Sequence, residues 1–332
     1  MAVAIRHAGV DDLAAMAALM VQDAARRQNT DPDLWKVDGL PSVNITATVK
    51  SAMENSTPPF RQKWLLAQVG GKVVGVAHSI LLPVPPIYAG DFGPPGLIME
   101  DCAVAQDAPE GTQAALLAAA EGDLARAGAE VILASSVAGG DWEAQFAVSG
   151  YAPLTDYFAK TALSRNASHA SVRRAHSDDV TGIVTASAEN RRILRDLDHR
   201  FWKPHPEADV RFAAWMNRSL TLTDRDMFVS DVQGQVQGYV ISQPATALHI
   251  PAGHDISRIG FVDDFYHADF DVPDHLQKDG KGAGALLAMA EGALHARGND
   301  AVLLVCPSAW ASKISLLEAA GYRRAITWYI RA

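Results

Sequence analysis

Two stretches near the end of this chain combine residue types that can do chemistry. Gly280, Gly282 and Gly284 alternate with Lys281 and Ala283, and an alanine- and leucine-rich run follows at once, through Leu286 and Leu287 to Gly298. Glycines at a helix N-terminus leave backbone N–H groups bare at the positive end of the helix dipole, which suits a phosphate or pyrophosphate. Upstream, Phe261-Val262-Asp263-Asp264-Phe265-Tyr266 sets two carboxylates in an aromatic, strand-like segment, and downstream Ala301-Val302-Leu303-Leu304-Val305-Cys306 reads as an apolar strand. A glycine run by itself also describes a flexible turn. Strand, turn, helix and strand in that order can hold a nucleotide-bearing cofactor.

The elements that must position these residues occur twice. Ile5-Arg6-His7-Ala8 ahead of Asp11-Asp12-Leu13 returns as Val172-Arg173-Arg174-Ala175 ahead of Asp178-Asp179-Val180. Trp35-Lys36 returns as Trp202-Lys203, Val74-Gly75-Val76 as Gln237-Gly238-Tyr239, and Ile98-Met99-Glu100-Asp101 as Phe261-Val262-Asp263-Asp264. The helical run from Ala115 to Gly122 matches that from Ala285 to Gly292, and Ser149-Gly150-Tyr151 matches Ala320-Gly321-Tyr322. Such order marks a tandem duplication. The expected domains are residues 1–165 and 166–332, with the seam in the polar, small-residue stretch 164–171. In the second unit, residues 227–230 and 236–242 read as hairpin strands around Gly234, Asp178-Asp179 as a helix entry, and Ile314, Leu316 and Leu317 as a short helix closed by Gly321.

Asp263-Asp264-Phe265-Tyr266 and Gly282-Ala283-Gly284 resemble the strand and cofactor loop of the GNAT acetyltransferase superfamily, whose loop follows Gln/Arg-x-x-Gly-x-Gly/Ala. Two frames fit, one starting at Gln277 and one at Asp279, and both contain Gly282. The resemblance implies an α/β (α+β) fold of two tandem GNAT-like domains, each a mixed, mostly antiparallel twisted sheet flanked by helices. It also implies an acetyl-CoA-dependent N-acetyltransferase, with acetyl passing directly to a primary amine in a ternary complex. By the same resemblance Gly280, Lys281, Gly282, Ala283 and Gly284 hold the cofactor, and backbone groups at Phe265 and His267 pair with its pantetheine arm. Asp263 becomes the base or cation anchor, with Asp264 on the opposite strand face if the strand is regular. The family's Tyr on the last helix falls at Leu317 here, so Tyr266 or water is left as the acid. A non-catalytic acyl-CoA-binding module is the alternative.

The first unit has Pro109-Glu110-Gly111-Thr112-Gln113-Ala114 where the second has its glycine loop. Proline lacks an N–H, Glu110 brings a negative charge, and Thr112 is β-branched. The cofactor is therefore expected in the second unit alone, with the first structural or sharing the substrate cleft. Among the 332 residues, 48% are apolar, enough for a large core, and no apolar run is long enough to span a membrane. The start of the chain lacks a signal pattern, so a cytoplasmic location is expected. A net charge of −9 disfavours nucleic acid and suits a small-molecule amine. Cys102 and Cys306 read as buried thiols in strands. His267, Asp269, Asp271, Asp274 and His275 share no dependable metal-ligand spacing, so no metal is expected. Arg191, Arg192 and Arg195 fall on a helix that either meets a substrate carboxylate or is solvated. A monomer or homodimer is expected.

Overall fold

Both halves of the computed structural model open on the same local device. Residues 2–83, 87–88, 93–163, 165, 168–248 and 250–331 are described; of the proposed seam, Ser164, Asn166 and Ala167 lie outside the described residues. On β1 (Ala4–His7), Arg6 grips Asp12 at 2.7 and 2.6 Å, and Asp12 accepts from the Gly9 N–H. On β8 (Val172–Arg174), Arg173 grips Asp179 at 2.7 and 2.8 Å, and Asp179 accepts from the His176 N–H. Each aspartate satisfies a backbone donor at a helix entry. Helices α1 (Leu13–Thr30) and α5 (Val180–Leu197) start immediately after.

The remaining elements also run in parallel. The first half continues through α2 (Pro41–Glu54), β2 (Gln62–Val69), β3 (Lys72–Leu81), β4 (Gly96–Ile98), β5 (Ala103–Val104), α3 (Thr112–Arg126), β6 (Ile132–Val137), α4 (Trp142–Val148) and β7 (Tyr151–Lys160). The second continues through α6 (Ala208–Ser219), β9 (Asp226–Val232), β10 (Gln235–Pro244), β11 (Ile259–His267), α7 (Lys281–Ala296), β12 (Ala301–Pro307), α8 (Ala311–Ala319) and β13 (Arg323–Arg331). Both hairpins, β2–β3 and β9–β10, close on two-residue turns with positive φ, Gly70-Gly71 and Gln233-Gly234.

Among the described residues, thirteen strands make one continuous sheet in the order β1-β2-β3-β4-β6-β13-β7-β12-β11-β10-β9-β8, with β5 beside β3. The pairs β4–β6 and β11–β12 are parallel and the other pairs are antiparallel. The two halves exchange their closing strands. β13 lies against β6 of the first half, and β7 lies against β12 of the second. A local two-fold runs through the Asp156–Thr327 pair, since Thr155↔Trp328 and Tyr157↔Ile326 are images of one another. Thr327 donates to Asp156 there at 2.6 Å. Each half keeps a mixed sheet of its own strands, extended by a closing strand from the other half.

The register corrects one detail of the repeat. Gly96 pairs with Ile132 and Gly260 with Val302, and a Cβ on either would strike a helix leucine, Leu124 at 2.9 Å or Leu294 at 2.6 Å. Ile98 is therefore the counterpart of Val262, not of Phe261. The first half carries an extra residue in the break between β4 and β5, and Cys102 lies in that break rather than in a strand, whereas Cys306 is in β12. Loops are exchanged as well. His254 of the second half bridges to Val37 and hydrogen-bonds the Trp35 carbonyl, while His205 donates its N–H to the Ile87 carbonyl of the first half. Among the described residues, no helix is long and apolar enough to cross a membrane.

Candidate functional site

Strand β11 is regular only as far as Val262. Val262 opposes Ser242 and Asp264 opposes Ile241, so Asp263 is the extra residue of a β-bulge. Its parallel pairing to β12 also ends there, at Val262↔Leu304, leaving residues 263–267 attached to β10 alone. The strands part from this point. The bulge interrupts the alternation on which an opposite-face position for Asp264 depended, and the charge of Asp264 acts directly on Asp263.

The two acids have different surroundings. Asp264 accepts from the Tyr239 hydroxyl at 2.6 Å and from Asn190 on α5 at 3.2 Å. Burial raises its pKa, against the Tyr239 hydrogen bond and the charges of Lys313 and Arg191. Asp263 is exposed at the surface, yet the protein crowded beneath it, and then the neighbouring Asp264 charge, push its carboxyl up to about 6. Asp264 is thus fixed in a network and Asp263 is free to exchange a proton near neutral pH. Tyr266 is buried edge-on against Phe270, and burial pushes its hydroxyl well above the usual range.

At the other end of the strand, His267 and the glycine loop meet. About 13 Å of strand separates Asp263 from His267. Lys278, Asp279 and Gly280 all have positive φ, and Gly280 caps α7 in the left-handed region. Asp269, buried in the turn after β11, accepts from the N–H groups of Gly282 at 2.8 Å and Ala283 at 3.1 Å. His267 accepts the Asp269 N–H on Nδ1, which places its proton on Nε2 toward the Ser230 hydroxyl at 3.3 Å. Burial lowers the pKa of this imidazole. Its ring lies so close to Gly282 that an added Cβ would fall 2.4 Å from Cε1, whereas one on Gly284 would meet nothing within 4 Å. Lys281 is exposed beside Asp279 at 3.9 Å.

These residues fit an anionic cofactor group in one respect. The two amides already bind an oxyanion, the Asp269 carboxylate, so their chemistry suits a phosphate. A phosphate can take them only by replacing that carboxylate. The segment between strand and helix is pinned, not a solvated loop. Phe270 is completely buried against Phe265, Tyr266 and Trp310, and its carbonyl accepts from Trp310 Nε1 at 2.9 Å.

Sequence reasoning missed Lys313 and Tyr88. Lys313, on α8 and buried, donates from Nζ to the Phe265 carbonyl at 2.8 Å, across the opening between β11 and β12. Its signal was a charge one turn before Leu317 on an otherwise apolar helix face. Tyr88 comes from the first half, packs on Trp202 and stands close enough to Asp264 for that charge to raise its hydroxyl pKa, after burial. No local pattern reveals a contact carried by an exchanged loop. Of the three arginines, Arg191 is buried between Asp209 and Ser187, Arg192 pairs with Glu189 and Asp196, and Arg195 lines a pocket of about 290 Å³ with His205.

No protein-family model matches the sequence, and no curated protein matches it either. Solved structures do match in fold. A GCN5-related N-acetyltransferase from Sphaerobacter thermophilus is 14% identical, with 99% of this chain and 95% of that one covered at a TM-score of 0.57. A tandem GNAT protein from the clavulanic acid biosynthesis pathway is 13% identical, covering 99% and 98% at a TM-score of 0.49. A GNAT-family acetyltransferase from Colwellia psychrerythraea is 10% identical, covering 98% and 98% at 0.48. The first match spans both halves. This chain has the tandem GNAT fold.

Proposed function

We propose that the second half transfers an acyl group, acetyl in the simplest case, from acetyl-CoA to a primary amine of a small molecule in the cytoplasm. The observation that carries the proposal is the parting of β11 from β12 beside the bulged Asp263. The edge of β11 from Asp263 to His267, which β12 no longer covers and where Lys313 holds the Phe265 carbonyl, would lie along an extended arm, and the α7 amides lie at one end of that span. Acetyl-CoA would supply the activated thioester. Asp263 would anchor the ammonium and pass its proton to water, and Tyr266, protonated throughout the working range, would orient polar groups without ionising. Asp264, tied to Tyr239 and Asn190, would position the bulge.

Calorimetry with acetyl-CoA should give one site per chain, and thiol release across a panel of amines should identify an acceptor. Asp263→Asn should lower kcat/KM by about 10²–10⁴-fold with acetyl-CoA affinity nearly unchanged. The wild-type rate should rise with pH through a midpoint near 6, where Asp263 ionises, and that limb should vanish in the variant. An unaltered pH profile in Asp263→Asn rejects the assignment. A non-catalytic acyl-CoA-binding module draws support from Leu317 and from the carboxylate on the α7 amides. Binding without turnover on any amine decides for it.

A further inference from the structure

We propose that Lys313 receives the negative charge of the departing thiolate and returns a proton to the sulfur. This rests on the acyl-transfer function above. Lys313 is only 4% exposed, and a buried ammonium requires compensation. Among the described residues its hydrogen-bond partner is the Phe265 carbonyl at 2.8 Å, where an ammonium can donate three times. The rest of its surroundings is aromatic: Nζ stands 5.1 Å from the Trp310 ring centroid and 5.4 Å from those of Phe265 and Phe270. Such a cage stabilises the cation while leaving hydrogen-bonding capacity unused.

Its position matters more than its burial. The Phe265 carbonyl belongs to the part of β11 that has lost β12, so the ammonium projects into the opening between the strands. Lys313 also lies in the first turn of α8, where the helix dipole adds positive potential. Leu317, one turn further along, is completely buried and can donate nothing. Two other titratable groups act on the ammonium, Cys306 from β12 and Asp264 from β11. Both favour the charged form, while burial works against it and makes the proton easier to release.

The first half provides a control within the same molecule. Trp142 occupies the place of Lys313, eight residues before Gly150 as Lys313 is before Gly321, and its indole N–H donates to the Cys102 carbonyl at 3.0 Å. Bridging the parted strands therefore needs only a donor. An ammonium is required only where charge develops.

In the step, the acceptor nitrogen bonds to the acyl carbon as the carbon–sulfur bond breaks, and that electron pair leaves on sulfur. Lys313 gives the sulfur one proton. The bound ammonium loses two protons through Asp263 to water, one to become the attacking amine and one as the amide forms; water returns one to Lys313, so one proton is released to solvent per turnover.

The test uses the full chain with coenzyme A as the probe. Ultraviolet thiolate absorbance of the bound coenzyme is followed against pH, with calorimetry for affinity, in wild type, Lys313→Arg and Lys313→Met. In wild type the bound thiol should ionise at lower pH than free coenzyme A, raising its thiolate fraction about ten- to a thousandfold, as for opposite charges within about 4–6 Å. Lys313→Arg should keep this shift and Lys313→Met should lose it, with turnover in Lys313→Met down by about 10²-fold or more. A wild-type thiol that binds but ionises as in free solution overturns the role of Lys313, however the variants fold, and leaves acyl transfer standing. So does a shift that survives in Lys313→Met. Wild-type protein that binds no coenzyme A overturns the acyl-transfer function, and the role of Lys313 with it.

Discussion

The two halves build the same parted strands and finish them differently. In the first, an indole closes the opening, and the acid at the break, Glu100, is buried. In the second, an ammonium stands in the opening, and the corresponding acid, Asp263, reaches solvent. Burial, and then the Asp101 charge, push Glu100 up to about 7, while Asp263 reaches about 6. Duplication preserved the scaffold in both places. What differs is whether polar groups at the break are sealed in or left able to exchange protons, which is why the proposed function is placed in the second half.

The severest test separates the halves. Residues 166–332 alone lack β7, so β12 loses a neighbour and β13 loses both of its own. The fragment should show no cooperative melting as a monomer. A monomeric fragment with native-like cooperative unfolding would break the picture of exchanged strands.

A smaller effect sharpens the contrast between the acids. The Glu100 carboxyl ionises near 4.5 when unfolded and about 7 when folded. Between these values the folded state holds the extra proton, so stability falls as pH rises through that window and stays lower above it. Glu100→Gln should remove the fall and stabilise the protein by about 3 kcal/mol at pH 8, read from denaturant unfolding at several pH values. A destabilised Glu100→Gln protein at pH 8 would show that the charged acid is wanted there.

The smallest effects concern the glycine loop. Gly282→Ala drives a methyl group into the His267 ring and should cost about 1–3 kcal/mol. Gly284→Ala meets nothing and should gain about 0.5–1 kcal/mol as a better helix former. Thermal unfolding distinguishes them, and equal shifts would mean that the ring does not hold its place.

Much of the fold was legible because its signals are local. The helix entry at Asp178-Asp179, the hairpin turn at Gly234 and the left-handed Gly321 closing α8 each show within a few residues, whereas the arginine that grips each entry aspartate was not read. The repeat then assembled these pieces into two units. Strand exchange was not legible, since Thr155 and Trp328 carry no mark of being partners. At the site, Asp263 was found from its run of neighbours, but the bulge that frees it depends on its register with β10. The glycines were read as room for phosphate, and at Gly282 the room is taken by His267. Asp269 looked like one acid in a polar loop, because capping a helix thirteen residues away leaves no periodic trace.

That cap makes the chain its own competitor. A carboxylate tethered so close acts at an effective concentration on the order of millimolar or above. An anion arriving at α7 is seen with its intrinsic affinity scaled down by the fraction of time Asp269 is away. Free phosphate, which gains only the two amides, loses that exchange. A longer ligand, which also gains contacts along β11, can win it. For the proposed cofactor, the tether would act as a filter, favouring molecules long enough to reach the parted strands over small anions.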